Sequence, residues 1–252
     1  MTNLVTISVV SHRQIGLVVE LFADIASHCT TGTVEVILTL NLPEELPFTE
    51  SDYPFPLRIV RNTYPQGFGE NHNHAFHLAR GDYYCVMNPD IRFDNNPFKA
   101  LLECFEDSSI GVVAPIVLSV DGKTEDSARR FPTPFKIICK LFGKCKGNDY
   151  VIRDEPIRPD WAGGMFLLFP CGIFERLDGF DQRYFLYYED VDICARLRLL
   201  GYEVVLCPQA RVIHNAQRSS HSNFRYLRWH LRSMMRFFLS PVFWRLQYRK
   251  WI

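Results

Sequence analysis

The chain has 252 residues, 47% of them hydrophobic, with 28 Lys or Arg against 28 Asp or Glu. That length is at the upper end for one domain, and the composition can bury a core and is unlike a disordered chain. Its eight cysteines have no CxxC spacing, which argues against a zinc ribbon or a thioredoxin-like site, and no apolar run reaches the about 18–20 residues a membrane span needs. Residues 1–12 read as the start of a strand, so no secretory signal is expected, and free thiols in a reducing cytosol are.

Taken in chain order, residues 5–10 (VTISVV) form a β-rich apolar run that ends at Ser11, His12 and Arg13. From Ile15 to His28, Leu17, Leu21 and Ile25 recur every four residues, which predicts a helix. Residues 34–40 (VEVILTL) read as a buried strand, 41–56 as a Pro- and acid-rich loop, and 57–60 as a short strand. Gly67 and Gly69 break the chain, 71–80 look helical, and 83–87 (YYCVM) are a buried strand stopped at Asn88, Pro89 and Asp90. This alternation predicts an α/β fold with parallel, right-handed βαβ units, whose ligands bind beyond the carboxyl ends of the strands. Those ends are Ser11 to Arg13, Asn41, and Asn88 to Asp90.

The second half is less regular. A helix is expected over 97–106, a strand over 110–118, a long loop or small insertion over 121–160, and an apolar segment over 165–169. A helix over 189–200 and a strand over 202–206 follow, separated by Gly201.

Several segments carry chemistry, each with a plainer alternative. In MNPDIRF (87–93) a strand delivers Asp90 to its carboxyl end, where a carboxylate suits Mg²⁺ or Mn²⁺ on a diphosphate; Asn-Pro-Asp also suits a simple turn. In YFLYYEDVD (184–192), Glu189, Asp190 and Asp192 crowd a helix start behind aromatics. Acids there gain from the helix dipole, yet three in four residues repel, and a partly desolvated carboxylate suits a general base. In WAGGMFLLFP (161–170), Gly163 and Gly164 admit a close backbone approach and Trp161 offers a face to a sugar ring; a turn before a core strand fits too. His214 is either a structural histidine or a metal ligand. QGFGENHN (66–73) fails as a dinucleotide fingerprint because His72 stands where GxGxxG needs glycine.

Charge is uneven. From Arg211 onward there are nine Lys or Arg and no Asp or Glu, leaving 19 basic against 28 acidic groups before it. Phe224, Leu227, Leu231, Met234 and Phe238 form an apolar stripe beside Arg225, Arg228, Arg232 and Arg236, and Trp244, Tyr248 and Trp251 follow Pro241. Such a helix suits an anionic membrane surface; docking on the core or a dimer contact are the alternatives. The expected division is a catalytic domain over 1–215 and a basic aromatic helical tail over 216–252.

In order and spacing these pieces resemble glycosyltransferase family 2, and are similar above all to bacterial O-antigen and cell-wall rhamnosyltransferases. The resemblance rests on ISVVSHR, on NTYPQGFGENHNHAFHLARGDYYCVMNPDIRF, on WAGGMFLLFP, and on LDGFDQRYFLYYEDVDICARLRLLGYEVVLCPQARVIH. It implies a GT-A type fold, a mostly parallel nucleotide-binding sheet flanked by helices. It also implies a single inverting displacement, with a nucleotide-sugar donor (dTDP-L-rhamnose first, a UDP-sugar otherwise) and a lipid-linked saccharide acceptor. Ser11, His12, Arg13, Asn41 and the Gly67–Asn73 loop, with Gly69, would line the nucleotide pocket. Asp90 would bind metal and diphosphate with His214 as a further ligand, Asn88 standing in the first acidic position of the metal motif. Trp161, Gly163 and Gly164 would shape the acceptor side. Asp190 would be the base, Glu189 the second choice, and Asp192 and Arg196 would support the site. Leu40 stands before Asn41 where the family usually has the Asp that reads the base. The implied setting is the cytoplasmic face of the cell membrane, with no nucleic-acid partner.

Overall fold

The apolar runs of the first half line up side by side. They form β1 (Val5–Ser11), β2 (Val34–Leu40), β3 (Leu57–Arg61) and β4 (Tyr83–Met87), all parallel in the spatial order β3-β2-β1-β4. α1 (Ile15–His28) and α2 (Phe68–Phe76) are the connecting helices. In this computed structural model, residues 4–141, 147, 149–152, 155–215 and 224–249 are described.

The second half departs from the parallel expectation. β9 (Phe166–Pro170) inserts antiparallel between β4 and β6 (Ile110–Ser119). β10 (Glu203–His214) runs parallel to β6, and the short β5 (Ile91–Arg92) closes that edge antiparallel to β10. The reversal of β9 has a consequence for the site. Its first residue, Phe166, pairs with Met87, the last of β4, so Gly163 and Gly164 arrive at the edge where the parallel strands end.

β10 is longer than its apolar start indicated. Pro208 cannot donate to a ladder, and a register shift between Cys207 and Arg211 absorbs it before pairing resumes as far as His214. The 121–160 segment holds α4 (Pro134–Leu141) and β7 (Ala128–Arg129), which pairs with β8 (Trp161–Ala162) just beyond it in a small two-stranded sheet. α2 begins earlier than expected, because Gly67 caps it and Gly69 lies inside it. A Cβ on Gly69 would meet Phe180 Cβ at 2.6 Å, so that glycine is a packing requirement.

Side-chain alternation along the strands feeds two cores, one on each face. Cys85 and Met87 of β4 pack with α1 and with α3 (Phe98–Glu103), which a short 3-10 turn extends (Cys104–Glu106). Tyr84 and Val86 face the other way, toward α5 (Cys171–Arg176), α6 (Glu189–Leu199) and the tail. α5 was not foreseen.

The tail forms α7 (Phe224–Phe238) and α8 (Pro241–Arg249). Phe237, Phe243 and Leu246 are buried in the same core as Val191 and Leu197 of α6, so the tail is docked on the rest of the fold. Met234 and Phe238 pack inward, contrary to the stripe expected for them, while Phe224, Leu227, Leu231, Met235 and Leu239 are exposed. Trp251 lies outside the described residues. No described helix is long and apolar enough to cross a membrane.

Candidate active site

The edge at the carboxyl ends of β1, β2 and β4 collects most of the expected residues. Arg13 follows β1 with a positive φ of 62°, a conformation that is strained for a long side chain. The Ser11 hydroxyl accepts the Gln14 N–H at 3.1 Å, shaping the turn into α1 and leaving His12 and Arg13 as the groups open to a ligand. Burial and the Arg13 charge lower the pKa of His12, against an opposing pull from Glu44, so the ring favours its neutral form. Asn41 is a structural knot. Its carbonyl oxygen accepts from Asn62 (2.9 Å) and the Gln66 N–H (2.8 Å), and its amide donates to the Gln66 carbonyl (3.0 Å). It thereby fixes the loop that leads into Gly67.

Gly67 joins this loop to the acidic turn. The Phe68 N–H donates to the Phe185 carbonyl at 2.9 Å, and a Cβ on Gly67 would meet that same oxygen at 2.9 Å. The turn ends on Tyr187 and Tyr188, two consecutive left-handed residues with φ of 68° and 69°. Neither is glycine, and such strain persists only where the surroundings enforce it. Here α7 supplies much of that enforcement. Trp229 packs on Phe185 (4.9 Å between centroids), His230 on Tyr187 and Tyr188 (5.3 and 5.5 Å), and Ser233 Oγ donates to the Leu186 carbonyl (2.9 Å).

This turn delivers Glu189 into a buried position and Asp190 into a half-buried one. Asp190 accepts the Gly164 N–H at 3.1 Å on Oδ2 and the Val191 N–H at 2.8 Å on Oδ1. Burial raises its pKa, opposed by those two N–H groups and by the Arg129 charge. Glu189 is 5% exposed and its Oε2 has no partner. Burial, then the adjacent Asp190 charge, push its pKa well up. Gly164 is where β9 brings its backbone to the carboxylate; a Cβ there would touch Asp190 Cβ at 3.5 Å. Gly163 donates to the Ser127 carbonyl at 2.8 Å. Trp161 donates from Nε1 to the Arg130 carbonyl (3.1 Å) and carries the Arg129 guanidinium over its ring at 5.6 Å.

At the neighbouring edge, Asp90 and His214 meet, with Nε2 and Oδ2 3.2 Å apart. Asn88 donates its backbone N–H to the Met165 carbonyl at 2.9 Å, tying the start of this turn to β9. Arg92, just beyond, binds both carboxylate oxygens of Asp24 (2.6 and 2.8 Å) and pins the segment to α1. Asp90 Oδ1 is buried with no hydrogen-bond partner. A lone buried carboxylate oxygen is costly, and a cation is a natural partner for it. His214 Nδ1 lies 2.9 Å from Glu125 Oε2. Burial disfavours its charged form, but Asp90 and Glu125 outweigh burial and hold the imidazole up at about 9. Among the described residues no group of three or more His, Cys, Asp or Glu is arranged to hold a metal. Asp90, with its unpartnered Oδ1, fits Mg²⁺ or Mn²⁺, and His214 joins it as a second ligand only once its Nε2 gives up the proton, with diphosphate oxygens and water completing the shell.

Four of the expected site residues make structural contacts within the fold. The Asn73 amide is taken up by the Phe180 backbone, accepting its N–H and donating to its carbonyl, both at 2.8 Å. Asp192 pairs with Arg196 at 2.7 Å, and Arg196 in turn donates to the Leu177 and Gly179 carbonyls. These three residues hold the segment around the left-handed Asp178–Gly179 turn. Gly69 serves the contact with Phe180 described above. Conversely, Arg129, on the two-residue β7, and Glu125, in the irregular turn before it, were missed, because such short pieces leave no periodicity to read; the basic pair Arg129 and Arg130 was the one available signal.

A family model described as glycosyl transferase family 2 matches residues 15–158. Rhamnosyltransferase WbbL of Escherichia coli is 31% identical over 184 residues, covering 68% of this chain and 69% of the relative. The N-acetylglucosaminyl-diphospho-decaprenol L-rhamnosyltransferase of Mycobacterium tuberculosis is 30% identical over 149 residues, 55% of this chain and 48% of the relative, so the chain spans about half of that protein's length. Among solved structures, GalNAc-T7 with UDP, GalNAc and Mn²⁺ superposes with a TM-score of 0.71 at 14% identity, over 94% of this chain and 48% of that one. The mannosyltransferase PcManGT from Pyrobaculum calidifontis, in complex with GDP-Man and Mn²⁺, gives 0.61 at 17%, over 85% of this chain and 58% of that one. At such identities the structural likeness speaks for the fold alone. Taken with the family match over more than half of its length, the chain belongs to glycosyl transferase family 2 and is a glycosyltransferase with a GT-A type fold.

Proposed function

We propose that this glycosyltransferase moves L-rhamnose from dTDP-L-rhamnose, with inversion, to a lipid-linked saccharide during synthesis of an O-antigen or another cell-surface polysaccharide. Two relatives are rhamnosyltransferases, and the mycobacterial one by its name uses N-acetylglucosaminyl-diphospho-decaprenol. The observation that carries the mechanism is the placement of Asp190, half-buried, held by two backbone N–H groups and beside Gly164. Its raised pKa makes it the more effective base for an acceptor hydroxyl. Held in a fixed position, it would take the proton as that oxygen attacks the anomeric carbon from the face opposite the nucleotide. His12 and Arg13 would face the nucleotide. Asp90 and His214 would hold Mg²⁺ or Mn²⁺, which neutralises charge on the departing diphosphate.

The exposed stripe of Phe224, Leu227, Leu231, Met235 and Leu239 would lie on the membrane surface that carries the acceptor, on the cytoplasmic side. Arg225, Arg228 and Arg232 beside it would meet anionic headgroups. Calorimetry tests the donor, comparing dTDP-rhamnose with UDP-glucose, UDP-galactose and UDP-GlcNAc, each with Mg²⁺, Mn²⁺ or EDTA. Binding of dTDP-rhamnose that EDTA abolishes is the expected result. Preference for a UDP-sugar would discard the rhamnosyl donor and keep the family.

A further inference from the structure

We propose that Glu125 is a positioning residue for the cation site: it holds the His214 ring so that Nε2 faces the ion shared with Asp90. The inference rests on the reading of Asp90 and His214 as the cation's ligands. Imidazole can give a cation the Nε2 lone pair only if its remaining proton sits on Nδ1, and an acceptor beside Nδ1 enforces that tautomer. Glu125 Oε2 lies 2.9 Å from Nδ1, while Asp90 Oδ2 lies 3.2 Å from Nε2, on the other side of the ring. One ring nitrogen is thus oriented by Glu125, and the other opens toward the carboxylate whose Oδ1 has no partner.

Glu125 is not a loose surface acid. β6 turns back on itself through residues 119–123, with the Ser119 N–H donating to the Lys123 carbonyl (2.8 Å) and Gly122 in the left-handed region at φ 73°. On the returning strand the Glu125 N–H donates to the Val117 carbonyl at 2.8 Å. His214 is pinned just as firmly. It pairs with Ser119 of β6 on one side and Ile91 of β5 on the other, and the next residue, Asn215, donates its N–H to the Asp90 carbonyl at 2.9 Å. Glu125, His214 and Asp90 therefore sit on three adjoining backbone segments whose spacing the sheet fixes. A side chain that merely filled a surface position would need none of this.

The test is the affinity of Mn²⁺, read from the EPR signal of the free ion in the presence of dTDP, for the wild type, Glu125→Ala, Glu125→Gln, Asp90→Asn and His214→Ala. Glu125→Ala is expected to weaken Mn²⁺ binding by about 10- to 100-fold. Glu125→Gln, whose amide carbonyl still accepts the Nδ1–H, should recover most of the loss. Wild-type affinity in Glu125→Ala, with loss in Asp90→Asn and His214→Ala, overturns the inference and leaves the cation site standing. Equal affinity in all five proteins overturns the cation site as well. A second readout needs no variant: ¹⁵N spectra of the Mg²⁺–dTDP complex should place the His214 proton on Nδ1, and a proton on Nε2 contradicts the proposal.

Discussion

At the scale of single residues, the acidic pair trades stability for chemistry. Glu189 is buried with an unpartnered oxygen, and burial together with the Asp190 charge raises its pKa in the folded chain. The folded state therefore keeps this proton to higher pH than the unfolded state, whose glutamate titrates near about 4.3. Linkage fixes the sign: the contribution is complete below that value and is lost as pH rises toward the folded pKa. Glu189→Gln removes the titration. Its melting temperature should match or trail the wild type at low pH and exceed it increasingly as pH rises, by about 2–4 °C for each kcal/mol relieved in a chain of this size. Parallel curves for the two proteins across pH would contradict this. Glu189 and Asp190 were legible because like charges so closely spaced call for a reason. The structural partners of Asn73 and Arg196 were not legible, because Phe180 and the Leu177 and Gly179 carbonyls are distant in the chain. A polar side chain that completes a remote turn has the same local signature as one that meets a ligand.

At the scale of elements, α7 is coupled to the catalytic turn. Its inner face, through Trp229, His230 and Ser233, braces the left-handed Tyr187–Tyr188 pair that presents the acids. Loss of that brace would free a strained turn and shift Asp190, the proposed base. Trp229→Ala and His230→Ala should each lower kcat by about 10- to 100-fold on any acceptor, with donor binding little changed. A fall confined to lipid-borne acceptors would show that α7 does not position the base. Apolar runs made β1, β2 and β4 legible, and the spacing of Leu17, Leu21 and Ile25 made α1 so. The direction of β9 was not, since strand polarity depends on which neighbour a strand meets and no residue within 166–170 encodes it. The frame of α2 was hidden for a different reason. Glycine usually marks a break, but Gly67 and Gly69 are there because Phe185 and Phe180 come within a Cβ's reach.

At the scale of the whole molecule, one face of the tail is buried and the other is not. The sequence showed an amphipathic helix, and the structure divides its apolar residues between the core and the exterior. Period alone could not make that division, because Met234 and Met235 differ by a single step around the helix. Replacing Leu231 and Met235 together by Asp should weaken binding to anionic vesicles and lower turnover on a membrane-borne acceptor. Turnover on a short soluble acceptor should hold, because neither side chain touches the buried face. Equal losses on both acceptors would contradict a membrane role for this surface.

The proposed transfer turns on Asp190. The direct measurement is rhamnose transfer from dTDP-rhamnose to a lipid-linked GlcNAc by the wild type and by Asp190→Asn, with donor binding measured on the same samples. Transfer by the wild type is expected, with a loss of about 10²- to 10⁴-fold in kcat for the variant and unchanged donor affinity. Transfer by Asp190→Asn within a few-fold of the wild type would contradict this role of Asp190.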